Sequence, residues 1–251
     1  MEKRNAAIVI LVLLLCIALV LFRGALFKTK KNSPEPGSQT SNTATIVKGT
    51  DTSVPYLKIT YQYPTGTIGA SVIKDRVTAI IADWKKENDI SKLSEQDKEM
   101  MGLTEGRTYE LYIKYTHSEN TKLYTHRLEI YSFTGGAHGI TTIETYSFDA
   151  SGKNITYTDI FTNPDTGLEA LKVKLREKLF TNFSDRLYND PSMVEEGLSG
   201  EALKELPFNA VGDGISFTFG QYQVGPYVSG IIDVPLTSKD LEGIVKPEFL
   251  P

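Results

Sequence analysis

"TGGAHG", Thr134 to Gly139, lies between "YTHRLEIYSF" (Tyr124–Phe133) and "ITTIETYSF" (Ile140–Phe148). Both flanking runs are rich in β-branched and aromatic residues and read as strands. Glycine tolerates positive φ, so Gly135, Gly136 and Gly139 predict a sharp corner where one strand passes into the next. This corner places the middle of the chain in a sheet.

Upstream, Arg107–His117 and Lys122–Phe133 predict a hairpin about "SENT". With residues 118–121 as the loop, Ile113 opposes His126 and Leu111 opposes Leu128. Tyr109, Leu111, Ile113, Tyr115, Tyr124, Leu128 and Ile130 then share a core face. Glu110 would oppose Glu129, a repulsion that a slip of two residues relieves without changing the faces. His126 falls on the apolar face as a core histidine, and His117 borders the loop. Before the hairpin, "YLKITYQYP" reads as a strand from Tyr56. The stretch Ile68–Asn88 reads as an amphipathic helix with Val72, Val77, Ile80, Ile81 and Trp84 on one side.

Downstream, "DASGKN" turns the chain and Leu168–Phe183 is helical, with Leu168, Leu171, Leu175, Leu179 and Phe183 in register. "FNAVGDGISFTFGQYQVGPYVSGIIDVPL" supplies two or three further strands, with Asp213-Gly214 as a tight turn. Strands and helices in separate runs predict an α+β class, a mostly antiparallel sheet with packed helices.

The N-terminus reads differently. Seventeen unbroken apolar residues, Ala6–Phe22, follow "MEKRN". As a helix they extend about 25 Å, or about 33 Å to Phe27, enough to cross a bilayer if Arg23 snorkels. No small-x-small cleavage site suits a signal peptide, so an uncleaved anchor is expected over residues 1–28. Basic residues flank both ends and leave orientation open. The polar tract 29–54 reads as a flexible linker, and residues 55–251 as the folded domain, in halves of about 55–158 and 159–251.

Charge and cysteine usage exclude several functions. Residues 1–31 hold six basic residues and one acid, so the remainder bears −9 of the chain's −4. That sign argues against nucleic acid and suits a cationic partner. Cys16 is the single cysteine, which excludes disulfides and thiolate metal sites from the domain. Three scattered histidines form no HExxH, and there is no GxSxG, Walker motif or dinucleotide fingerprint. No cofactor or metal is expected. His138 beside glycines would serve as a base or ligand, or as part of a corner, and the corner is the better account. A second glycine-rich stretch, "FGQYQVGPYVSG", offers Tyr222, Gln223, Pro226 and Tyr227 as contact residues, or as a plug for the end of a sheet.

"YSFTGGAHGITTIETYSFDASGKNITYTDIF" followed by "ISFTFGQYQVGPYVSGIIDVPL" resembles the extracytoplasmic domain of RsiV-type anti-sigma factors. That domain is shared with the region preceding the catalytic domain of PdaC-type peptidoglycan deacetylases. The resemblance implies an α+β fold outside the cytoplasmic membrane, with Gly135, Gly136, Gly139, Asp159 and Gly230 as structural positions. It also implies lysozyme binding, as in the RsiV-type members. With five residues ahead of the apolar run and no deacetylase segment after it, the expectation is an anchored ectodomain carrying neither effector. A non-catalytic binding module for a lysozyme-like protein or cell-wall component is therefore expected. The alternative is a cell-wall glycan hydrolase or deacetylase-related enzyme using His138.

Overall fold

The computed structural model describes residues 44–204 and 206–251. The expected membrane anchor and the first part of the linker lie outside these residues. No helix among the described residues is long and apolar enough to cross a membrane. The fold is α+β with antiparallel-dominated sheets.

The first sheet has six strands in sequential order: β1 (Thr45–Asp51), β2 (Leu57–Thr65), β3 (Tyr109–Glu119), β4 (Leu123–Phe133), β5 (Ile140–Asp149) and β6 (Asn154–Ile155). Only β2 and β3 run parallel. Parallel neighbours need a crossover, which α1 (Ala70–Glu87) and α2 (Glu95–Met100) provide. Helix α1 buries Ile73, Val77, Ile80 and Trp84 against Leu57, Ile59, Leu111, Ile113, Leu128 and Ile130. The helix is rotated slightly from expectation, since Ile73 is buried where Val72, 42 % exposed, was expected.

Strand β1 corrects the linker. Residues 45–51 fall in the tract expected to be flexible, yet they pair with β2 along their whole length. The Tyr61 ring lies over Gly49, where no side chain intervenes. The Asp51 carboxylate accepts hydrogen bonds from Lys85 of α1 and from Ser53, which hold its pKa down at about 2. These partners are distant in sequence, and a short polar window gives no hint of them.

The hairpin keeps the expected faces but shifts its register by four residues, not two. His117 opposes His126, Ile113 opposes Ile130, and Lys114 opposes Glu129 with Nζ 3.6 Å from the carboxylate. The turn is tighter than "SENT" suggested because Asn120 Oδ1 accepts from the Lys122 and Leu123 amides, both at 2.8 Å. This Asx turn leaves only three residues, 120–122, between the strands.

The second sheet is β7 (Phe208–Val211), β8 (Gly214–Phe219) and β9 (Ile232–Thr237), all antiparallel. The turn falls at Gly212-Asp213, one residue earlier than expected, with Gly212 at φ 41°. The long helix α3 (Pro164–Asn182) buries Leu171, Leu175 and Leu179 in the core of this half. Short helices α4 (Pro191–Gly197) and α5 (Gly200–Leu203) follow it, capped by Asp190 and Ser199.

The two sheets meet through side chains. The amides of Phe208 and Ala210 on β7 donate to Thr145 Oγ1 and Thr125 Oγ1, each at 3.1 Å. Arg127 reaches across to Thr218 and Asp233 at 2.9 Å. The buried Thr125 hydroxyl on β4 and the half-buried Thr145 hydroxyl on β5 thus satisfy backbone groups of an edge strand that would otherwise be orphaned.

Candidate functional site

The "TGGAHG" corner behaves as its composition predicts. Gly135 and Gly136 adopt φ of 96° and 94°, in the left-handed region that favours glycine. Gly139 is needed for a different reason. A Cβ there would sit 2.5 Å from Tyr131 Cζ and 2.6 Å from the Ser132 carbonyl oxygen. The corner thereby presents His138 to solvent with its backbone pinned from below.

The second glycine-rich segment, between β8 and β9, packs beside this corner. The expected loop residues are 84 or more positions away in sequence, yet the rings meet. His138 stacks on Tyr227 with centroids 3.7 Å apart and planes at 21°. Tyr222 completes the cluster, 5.7 Å from Tyr227 and 6.4 Å from His138. His138 Nδ1 lies 3.2 Å from the Gly139 carbonyl and Nε2 lies 3.3 Å from the Tyr222 hydroxyl. With Nδ1–H donating to that carbonyl, Nε2 is left to accept from the tyrosine hydroxyl.

Tyr222 carries the local strain. Its φ is 65°, a left-handed conformation costing a non-glycine residue about 1–2 kcal/mol, and its side chain is nevertheless 47 % exposed. Neighbours impose the conformation. Tyr188 Oη donates to the Tyr222 carbonyl at 3.0 Å, and the Tyr188 amide donates to the Val224 carbonyl. Val224 is buried. Gln221 Oε1 accepts from the Thr141 amide at 2.7 Å, on the stretch of β5 that the short β6 does not reach.

Gln223, grouped with the contact residues on sequence grounds, faces inward. Its Oε1 accepts from Gly220 N at 3.0 Å and its Nε2 donates to Gly197 O at 3.3 Å. Pro226 is exposed and opens the 3₁₀ turn Tyr227–Ser229. Gly230 closes that turn at φ 65°. Arg186 clamps the same turn, donating to the carbonyls of Ser229 and Ile231 while its own carbonyl accepts from Ser229 Oγ. Asp159 stands apart from the cluster. Its carboxylate accepts from the Thr156 amide and hydroxyl at 2.8 and 2.6 Å, a capping box whose hydrogen bonds lower the Asp159 pKa.

Sequence reasoning therefore found the rings but not their scaffold. Gln221, Tyr188 and Arg186 hold the loop through backbone groups, and single-chain spacing carries no signal for such contacts. Val228, 88 % exposed at the tip of the turn, was also missed. With Tyr222, Tyr227 and His138 it makes an exposed aromatic and apolar surface of the kind used for recognition. Among the described residues, no group of three or more histidines, cysteines or acids is placed to hold a metal ion.

Two family models match this chain. Residues 51–141, which contain β2 to β4, match the model described as Deacetylase PdaC. Residues 158–239, which contain α3 and the second sheet, match a protein of unknown function, DUF3298. No curated protein matches. Among solved structures, a DUF3298-family protein from Bacteroides fragilis is 21 % identical with a TM-score of 0.57, covering 82 % of this chain and 93 % of its own. A DUF3298-family protein from Pseudomonas aeruginosa is 14 % identical at the same TM-score, covering 85 % and 98 %. At these identities the likeness is one of fold.

Proposed function

We propose that the folded part of this chain is a binding module displayed outside the cytoplasmic membrane. It recognises a cell-wall component or a lysozyme-like protein through the His138–Tyr222–Tyr227 surface, and it does so without chemistry of its own. The observation that carries this reading is the convergence of two remote loops on one exposed ring cluster, with Tyr222 held in a costly conformation. Strain at an exposed side chain is maintained only where surrounding contacts over-determine it, and such sites cluster at functional surfaces.

The cell-wall theme is supported by the match of residues 51–141 to a model named for a deacetylase. The lysozyme option rests on the RsiV-type resemblance and on the −9 charge beyond residue 31, which would speed encounter with a basic protein. The apolar run Ala6–Phe22 supports anchoring in a membrane.

A pull-down tests this. The full chain is immobilised and offered lysozyme and purified peptidoglycan separately, alongside Tyr227→Ala. Retention of one of them, lost in the variant, is expected, and retention of neither sinks the reading. The deacetylase name favours a second reading, an enzyme using His138. Acetate release from peptidoglycan that vanishes in His138→Ala at unchanged melting temperature would establish it.

A further inference from the structure

The first sheet has one face packed on α1, and the second sheet covers only part of the other. On that other face no described residue covers strands β1 to β3, and a groove of about 470 Å³ runs over them. Its lining includes Lys48, Thr50, Thr60, Gln62, Tyr112 and Lys114. Alternation along each strand sends these side chains to the same side, as the pairings Lys48↔Gln62, Thr50↔Thr60 and Thr60↔Tyr112 require. Lys58 belongs to this face too, its ammonium 5.5 Å from the centre of the Tyr112 ring.

Tyr131 and Gly139 lie between the groove and the ring cluster. Tyr112 stacks on Tyr131 across β3 and β4, with centroids 5.6 Å apart and planes at 14°. Tyr131 in turn packs against Gly139, the residue after His138. An aromatic path therefore leads from Tyr227 and His138, by Tyr131 and Tyr112, to the lysines. A path of flat rings ending in ammonium, amide and hydroxyl groups suits a chain of sugar rings, which stack their C–H faces and hydrogen-bond at their edges.

The local charge also runs against the sign of the domain. Lys58 and Lys114 each stand 3.6 Å from an acid of the same face, Glu110 and Glu129, in partly solvated pairs that a ligand carboxylate can compete with. Lys48 is exposed and makes no ion pair among the described residues. Three ammoniums against two carboxylates leave this face net positive on an acidic domain, which favours a ligand that carries carboxylates.

We infer that this groove is a second subsite for a linear, carboxylate-bearing glycan. The inference rests on the binding-module reading and extends it to a ligand class. It predicts that ring stacking supplies affinity along the path and that the lysines supply selectivity for anionic over neutral chains.

The test titrates the full chain calorimetrically with two probes. One is a hyaluronan hexasaccharide, in which alternate rings bear a carboxylate, and the other is neutral chitohexaose. At low salt the anionic hexamer should bind about tenfold more tightly, and the gap should narrow near 0.15 M salt, where the Debye length is about 8 Å. The triple variant Lys48→Gln, Lys58→Gln, Lys114→Gln should lose the preference and keep its melting temperature. Tyr112→Ala should weaken both probes by about fivefold or more. Equal binding of the probes, a preference that survives the triple variant, or no binding of either at millimolar concentration overturns the inference. If Tyr227→Ala abolishes binding while the groove variants do nothing, the loops alone are the site and the groove is excluded. If the groove variants weaken binding while Tyr227→Ala does not, the groove stands and the loops lose their assigned role.

Discussion

Acid should destabilise this domain in a window set by one buried side chain. His126 is fully buried between Tyr115, Tyr124 and Phe148. Its Nε2 lies 2.6 Å from the Ile68 carbonyl and its Nδ1 lies 2.9 Å from the Tyr115 hydroxyl. A neutral ring satisfies both, with Nε2–H donating to the carbonyl and Nδ1 accepting from the tyrosine. Burial depresses the pKa from 6.5 to about 4; His117 pushes in the same direction, and the Ile68 carbonyl only partly opposes them. Because the folded pKa is the lower one, the stabilisation is complete above the unfolded value. It drains away as pH falls from about 6.5 towards 4. A difference of about 2.5 pH units corresponds to about 3 kcal/mol. For a domain of this size that is a fall in Tm of roughly 6–12 °C. Urea unfolding followed at pH 7, 6, 5 and 4 would read it directly. His126→Phe should be less stable at pH 7, since Tyr115 and Ile68 lose a partner, but its slope between pH 6.5 and about 5 should vanish, while nearer pH 4 the hydrogen-bonded Asp51 and Asp159 carboxylates add a slope of their own. A wild-type stability that stays flat from pH 6.5 to 4.5 would show that His126 is not held neutral by burial. So would a His126→Phe variant with the same slope.

Two substitutions examine the site's scaffold. Gly139→Ala drives a methyl group against Tyr131 and the Ser132 carbonyl, so differential scanning calorimetry should record a loss of about 1–3 kcal/mol. Tyr222→Gly removes the left-handed strain, so stability should hold or rise, by about 1 kcal/mol at most, while ligand retention falls. A marked loss of stability in that variant would mean the ring is structural.

How much of this was legible in the sequence depends on the range of the interactions. Period-two and period-3.6 patterns report which face of an element is buried, so the α+β class, the faces of β3 and β4, and the Leu171–Leu175–Leu179 stripe of α3 were all readable. Register was not, because Asn120 decides it through an Asx turn, and the unfavourable Glu110–Glu129 pairing was the one clue. Strand β1 was invisible for a related reason. "TIVKGTD" is held by Tyr61 over Gly49 and by Lys85 on Asp51, partners that a local window does not contain. The rings of the site announced themselves through their glycine and proline neighbours. Their proximity did not, since it depends on how the second sheet docks on the first through Thr125, Thr145 and Arg127.

A double-mutant cycle on binding shows whether His138 and Tyr227 act as one contact surface. Affinity for solubilised peptidoglycan fragments, or for lysozyme if that is the partner retained, is measured for the full chain, His138→Ala, Tyr227→Ala and the double variant. Rings stacked 3.7 Å apart should be coupled, so the double variant should lose less than the two single losses added, by about 0.5–1.5 kcal/mol. Strict additivity, or single variants that bind as tightly as the parent chain, would contradict the account.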